Sequence, residues 1–261
     1  GFSPIIQYGA LDINYVTPPN FGNQRVGAGM ASDLGFGFSL GGYYDITKQF
    51  TVAAAYTSAI DMKYRDQLST ASSPFVGQTL QSGFSDQLEQ PAEVKLGASY
   101  TIGNIMLTGD FKQIRWGEAK GYKDFGWEDQ NVIALGLKYS GKGYWVGAGF
   151  NKADNPIKKF SGTPAAMTQQ ALGSAAEGST KNMFNNIFFP ATTESHFSVG
   201  GGYDITKNVT LEGAIMYAPD VSSTVDTTML TSNSATMTIN PSTNTTKHSQ
   251  MAYTIQAKYK F

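Results

Sequence analysis

The sequence predicts an all-β chain, a transmembrane antiparallel β-barrel, on three observations. Apolar and polar residues alternate with a period of two, over segments longer than an ordinary globular strand. Tight turns and long polar stretches take turns in joining those segments, as in barrels of the outer-membrane type. One tight turn is also written twice, as GGYYDITKQFTV at Gly41–Val52 and GGGYDITKNVTL at Gly200–Leu211.

The elements follow in order. Phe2–Tyr15 alternates with a slip near Gly9, and Leu34, Phe36, Phe38, Leu40 and Tyr44 oppose Asp33, Gly35, Gly37, Ser39 and Gly41. Phe50–Tyr64 keeps one apolar face interrupted only by Ser58. Val94–Tyr100, Ile105–Trp116, Ile133–Tyr139 and Tyr144–Phe150 continue the pattern. Ile105–Trp116 slips phase after Phe111, which predicts a bulge. Phe197–Ile205, Val209–Tyr217 and Met251–Phe261 complete a set of about ten strands. Tight turns are expected at Asp45–Gln49, Gly103–Asn104, Ser140–Gly143 and Thr206–Asn208, where Asp and Thr side chains bond the turn backbone. Long loops are expected at 16–32, 65–90, 117–129, 154–193 and 219–247.

Sidedness distinguishes a membrane barrel from a soluble sandwich. One face of each segment carries Phe, Tyr, Leu and Ile; the other carries Gly, Ala, Ser, Thr and mixed charge. The second set makes a poor packed core and a good lumen, so the greasy set should face lipid.

Composition agrees. The chain has 261 residues, 29 of them Gly, with 13% aromatic and 15% charged residues and a net charge of −1. That balance, without a block of like charge, argues against a nucleic-acid partner. Absence of cysteine removes thiol catalysis, disulfides and cysteine zinc sites. Mean hydropathy is −0.24, and no apolar run approaches the ~20 residues of a spanning helix. The chain opens GFSP, with neither Met nor a leader peptide, so an upstream coding segment is expected.

Enzyme chemistry is not expected. Gly37-Phe38-Ser39-Leu40-Gly41 matches the nucleophile-elbow pattern, but lies inside an alternating strand rather than at a strand-to-helix turn. His196 and His248 fit no metal-ligand spacing, and no cofactor is implied. Period two points Asp61, Lys63, Glu93, Lys95, Asp110, Lys112, Lys138, Glu212, Lys258 and Lys260 inward. Cross-strand pairing is the plain reading of these charges. The functional reading leaves Lys95, Lys112 or Lys138 free for a carboxylate. In the loop 154–193, Thr163, Pro164 and Gly173 predict a short capped helix. Around it Phe160, Met167, Leu172, Met183, Phe184, Ile187, Phe188 and Phe189 either pack together as a cap or form a ligand groove.

QPAEVKLGASY at Gln90–Tyr100, GDFKQIRW at Gly109–Trp116, GWEDQNVIALGLKY at Gly126–Tyr139, NPI at Asn155–Ile157 and NNIFFPATTESHFSVGGGYDIT at Asn185–Thr206 carry a resemblance. They resemble the outer-membrane long-chain fatty acid transporter family, which also includes aromatic-hydrocarbon channels. The resemblance runs the length of the chain. It implies a single barrel domain over 1–261, the C-terminal part of a barrel of about fourteen strands. The N-terminal hatch and about four strands would then be missing. It implies passive uptake of a hydrophobic small molecule, foremost a long-chain fatty acid, with an aromatic hydrocarbon, a general porin or a structural barrel as alternatives. It favours the groove reading, with Phe160, Phe184, Phe188 and Phe189 as loop ligand residues. Implied partners are the ligand, outer-membrane lipid and lipopolysaccharide. The alternating C-terminus closing on Phe261 adds the barrel-assembly machinery.

Overall fold

The computed structural model describes the whole chain except Ser234, Ala235, Met237 and Phe261. The expected insertion signal on Phe261 therefore lies outside the described residues.

Alternation becomes one antiparallel ladder. β1 (Phe2–Leu11) is followed by a small ribbon of β2 (Tyr15–Val16) and β3 (Arg25–Val26). Then come β4 (Ala31–Asp45), β5 (Phe50–Thr57), β6 (Glu93–Ile102), β7 (Ile105–Ile114), β8 (Gln130–Gly141) and β9 (Tyr144–Ala153). β10 (Ser195–Asp204), β11 (Val209–Asp226) and β12 (Thr243–Tyr259) end the series. The sheet has ten strands in the order β1-β4-β5-β6-β7-β8-β9-β10-β11-β12, a pure meander with β1 and β12 outermost. No described helix is long and apolar enough to cross a membrane.

The faces divide as the pattern requires. Phe36 is 67% exposed and Ile255 83%, and Leu135, Val199 and Tyr253 are exposed on the same outer surface. An apolar belt this continuous has the bilayer as its solvent.

The repeated turn is a repeated hydrogen-bond set. Thr47 N–H and Thr206 N–H donate to Phe50 O and Val209 O, each at 3.2 Å. The hydroxyl oxygens of Thr47 and Thr206 accept the amides of Phe50 and Val209, both at 3.0 Å. Asp45 and Asp204 each accept the next strand's threonine hydroxyl at 2.6 Å, from Thr51 and Thr210, rather than bonding the turn backbone.

Several boundaries differ from expectation. β7 pairs β6 and β8 without interruption to Ile114, and β1 pairs β4 without a slip at Gly9. The phase change after Phe111 is chemical rather than geometric: above the lipid the inward side becomes dry, so Ile114 is apolar and buried. The register shift lies instead in β11, between Ala218 and Val221. β11 and β12 pair on to Asp226↔Thr243, so the expected loop 219–247 shrinks to 227–242. The helix of the 154–193 loop is α2 (Gln169–Phe188), with Thr168 as N-cap, accepting Ala171 N–H at 3.3 Å. Thr163 is not the cap, and Gly173 does not stop the helix. Burial of Met183 and Phe184 farther along outweighs the ~1 kcal/mol that an interior glycine costs.

β5 is the largest departure. It ends at Thr57, and residues 58–64 leave the wall as an inward-folded strap. The β4–β5 ladder starts at Ser39↔Thr57, so the upper part of β4, residues 31–37, is laddered to β1 alone.

Candidate functional site

The long loops meet over one end of the sheet and share an apolar core. Leu68 and Ala71 come from the short α1 (Leu68–Ser72), Phe125 from the loop after β7, and Met183 and Phe184 from α2. Phe75, Phe84 and Phe21 join them. The rings of Phe75 and Phe84 stand 5.3 and 5.2 Å from Phe184, edge to face, and Phe84 lies 4.3 Å from Phe125. Such ring pairs add stabilisation beyond their buried area.

Asparagines on α2 tie this core to its loops. Asn182 donates to Phe160 O and Asp226 O, each at 2.8 Å, and its Oδ1 accepts Phe160 N–H at 3.0 Å. Asn185 donates to Phe125 O at 2.8 Å and accepts the Trp127 indole N–H at 3.0 Å. Tyr15 donates its hydroxyl to Ala71 O, and burial pushes its pKa up to about 12.

Asp86 holds the first turn of α1. Its carboxylate accepts Asp66 N–H and Ser69 N–H, both at 2.9 Å, and the Ser69 hydroxyl at 3.1 Å. Burial acts to raise its pKa, but these hydrogen bonds together outweigh burial and hold it below the ordinary carboxylate value. A depressed folded pKa gives stability that is complete above the unfolded value of about 3.9 and lost as pH falls through the folded one. The cap should therefore become increasingly pepsin-sensitive around Leu68–Phe84 as pH falls below about 4. Asp86→Asn should be sensitive already at pH 4 and show a weaker pH step. An unchanged step in the variant would remove Asp86 from this role.

A second aromatic group lies where the cap meets the wall. Trp116 stands just beyond β7, and its ring lies 4.6 Å from Tyr122 and 4.7 Å from Trp127. Tyr122 and Trp127 are 4.9 Å apart, and Phe189 lies 5.1 Å from Trp127. This collar continues the cap's aromatic core down to Ile114 on the inner wall.

The expected ligand residues separate. Phe184 is 1% exposed in the cap core, with Phe188 and Phe189 packed against it. Phe160 covers Gly126, and Lys181 and Lys158 lie 5.5 and 6.0 Å from its ring. Phe184, Phe188 and Phe189 thus pack together in the cap, whereas Phe160 lines an open cavity of about 460 Å³ with Thr163, Thr168 and Ala171. On the wall, Lys95 pairs with Glu93 at 2.7 Å and Lys112 approaches the same carboxylate at 3.8 Å. Lys138 sits 4.9 Å over the Trp145 ring. Glu212 is held by Lys258 at 2.6 Å and the Trp145 indole at 3.3 Å. Of the three lysines, Lys138 alone makes no ion pair among the described residues.

His196 bonds Asn151 at 2.8 Å, and the described residues hold no metal-binding group of acids and histidines. Trp116, Tyr122, Phe75 and Phe84 were not singled out by sequence. Tyr122, Phe75 and Phe84 signal only as aromatic residues in polar loops, which period-two reading passes over, and Trp116 read simply as the end of a strand.

The strap 58–64 lies beside the collar. Ile60 and Gln90 exchange backbone bonds of 3.0 and 2.9 Å, and Leu88 N–H donates to Met62 O at 3.0 Å. Lys120 pins it through Asp61 at 2.9 Å.

A lipid-facing strand wall roofed by an apolar loop cap is the architecture of an outer-membrane β-barrel. The chain belongs to the Gram-negative porin family, whose model matches residues 10–223. Solved structures with this fold include a Pseudomonas aeruginosa FadL homologue, at TM-score 0.64 and 14% identity, covering 99% of this chain and 63% of that one. The Pseudomonas putida toluene transporter TodX matches at TM-score 0.57 and 14% identity, with 100% and 65% covered. The Ralstonia pickettii toluene transporter TbuX matches at 0.55 and 12%, with 99% and 62% covered. The chain thus spans less than two thirds of each of these structures. No curated protein matches it. The protein is an outer-membrane β-barrel with the fold of hydrophobic-compound channels, as the sequence motifs led one to expect.

Proposed function

We propose that this protein moves hydrophobic small molecules passively through the outer membrane, long-chain fatty acids foremost. One observation carries the reading: a continuous aromatic path from Phe21 and Phe75 through Phe184 and Phe189 to the collar at Trp116. A water-filled porin has no use for a dry mouth of this kind, whereas a molecule leaving the outer leaflet or lipopolysaccharide does.

Capture then begins at the cap, whose rings part around the acyl chain. The tail passes the collar and meets the lumenal wall, where Lys138, which makes no ion pair among the described residues, attracts the acid group. The break between β4 and β5 above Ser39 offers a sideways exit into lipid. No covalent step, cofactor or energy source is involved. The fatty acid rather than the arene is favoured by Lys138 on the inner wall, whose ammonium gains more from a carboxylate than from the face of an uncharged ring.

Cells producing the protein should take up radiolabelled oleate saturably, several-fold faster than cells without it, and toluene less so. Planar-bilayer recordings should show ion conductance far below that of an open porin. Porin-like conductance without saturable oleate uptake defeats the proposal, and toluene-selective uptake moves the substrate to the arene class.

A further inference from the structure

Trp116, Trp127 and Trp145 are the chain's 3 tryptophans. Trp127 gives its indole N–H to Asn185 and Trp145 gives its own to Glu212. Trp116 differs. Its Nε1 is sealed from solvent and has no hydrogen-bond partner among the described residues. A buried donor left unmet is rare in a native fold and calls for an acceptor.

The surroundings say which kind. The rings of Tyr122 and Trp127 lie 4.6 and 4.7 Å from that of Trp116, so the indole stands in an aromatic cluster. A molecule that reached it would need a flat or flexible apolar body and one acceptor oxygen. The collar also stands where the cap's aromatic path touches the inner wall, just beyond Ile114. Lys112 lies two positions below Ile114 on the same face of β7, so a positive charge waits past the collar.

We propose that the collar is a selectivity station, at which Trp116 N–H binds the oxygen of an amphiphile with one polar end. It rests on the transport reading above and sharpens it. Carboxylic acids and alcohols of long chains are held there as the rings part, while a bare hydrocarbon passes without being held. Trp116 is thus a binding residue chosen by its donor, whereas its neighbours contribute apolar surface alone.

Trp116→Phe keeps an aromatic ring and removes the donor. The test uses protein purified from outer membranes in detergent, titrated calorimetrically at pH 7.5 with decanoate, decanol and toluene. Wild type should bind decanoate and decanol. Trp116→Phe should lose about tenfold in affinity for both, because a buried donor to a charged or polar oxygen is worth about that factor, and should bind toluene unchanged. Its thermal midpoint without ligand should fall only by what the smaller ring loses in packing, since a donor without a partner contributes nothing to the fold. Equal weakening for all three ligands, or no weakening, overturns the proposal. If wild type binds none of the three, the transport reading fails instead, and the two failures are separate.

Discussion

Phe184→Ala will unseat the loop cap while leaving the strand wall standing. The side chain is 1% exposed and meets four rings, those of Phe188 at 5.0 Å, Phe84 at 5.2 Å, Phe75 at 5.3 Å and Tyr15 at 6.3 Å. Those partners come from separate loops and from α2 itself, so nothing nearby can collapse into the space. Truncating such a phenylalanine costs about 3–5 kcal/mol. Loops have no ladder of their own to absorb that loss, and local opening becomes frequent. Thermolysin should then cut within 65–90 and 154–193 while the wall's β-type circular dichroism stays unchanged. Ion conductance should rise as the dry mouth opens. Loops as resistant as in wild type would show that the cap does not depend on this ring.

How much of this was legible in the sequence depends on what each residue answers to. Wall strands answer to one rule, lipid outside and lumen inside, and Phe36, Leu135 and Ile255 obey it. The turns were legible because Thr47 and Thr206 repeat one local bonding scheme. The cap answers to partners far along the chain. Asn185 reads as a polar residue in a polar loop, yet it joins Phe125 and Trp127 from about sixty positions away. Phe184, Phe188 and Phe189 were visible as apolar loop residues, but whether they faced each other or a ligand turned on Phe75, Phe84 and Phe21. Lys138 could be separated from Lys95 and Lys112 only once Glu93 was seen to serve both of the latter.

The strap shows the same limit within one strand. Phe50–Tyr64 alternates throughout, and alternation puts Ile60 and Met62 on the lipid side. They are instead 2% and 1% exposed inside. Ser58 explains the departure. Its N–H donates to Phe38 O and its hydroxyl accepts Phe38 N–H, both at 2.9 Å. The side chain thereby replaces the carbonyl that a continuing ladder would supply, and the backbone is free to turn inward.

Gly35→Val should send the strap back into the wall. A Cβ on Gly35 would stand 2.5 Å from Ile60 Cγ2 and 2.8 Å from Asp61 O, and one of those atoms is backbone. Repacking cannot relieve that overlap, so the strap must leave the inner face. Continuing the register from Ser39↔Thr57 sets Phe36 against Ile60, Leu34 against Met62 and Asp33 against Lys63. The first two pairs are apolar and face lipid, while the third joins opposite charges on the lumenal side. Zipping would also satisfy backbone groups on the β4 edge that a bilayer leaves costly. Because the chain has no cysteine, Phe36→Cys with Ile60→Cys reports the change cleanly. Oxidation should cross-link that pair far faster when Gly35→Val is added than when the glycine is kept. Oleate uptake should fall about tenfold in Gly35→Val alone, as the sideways exit closes while the cap stays intact. Faster uptake, or equal cross-linking in both backgrounds, would show that the strap neither zips nor guards the exit.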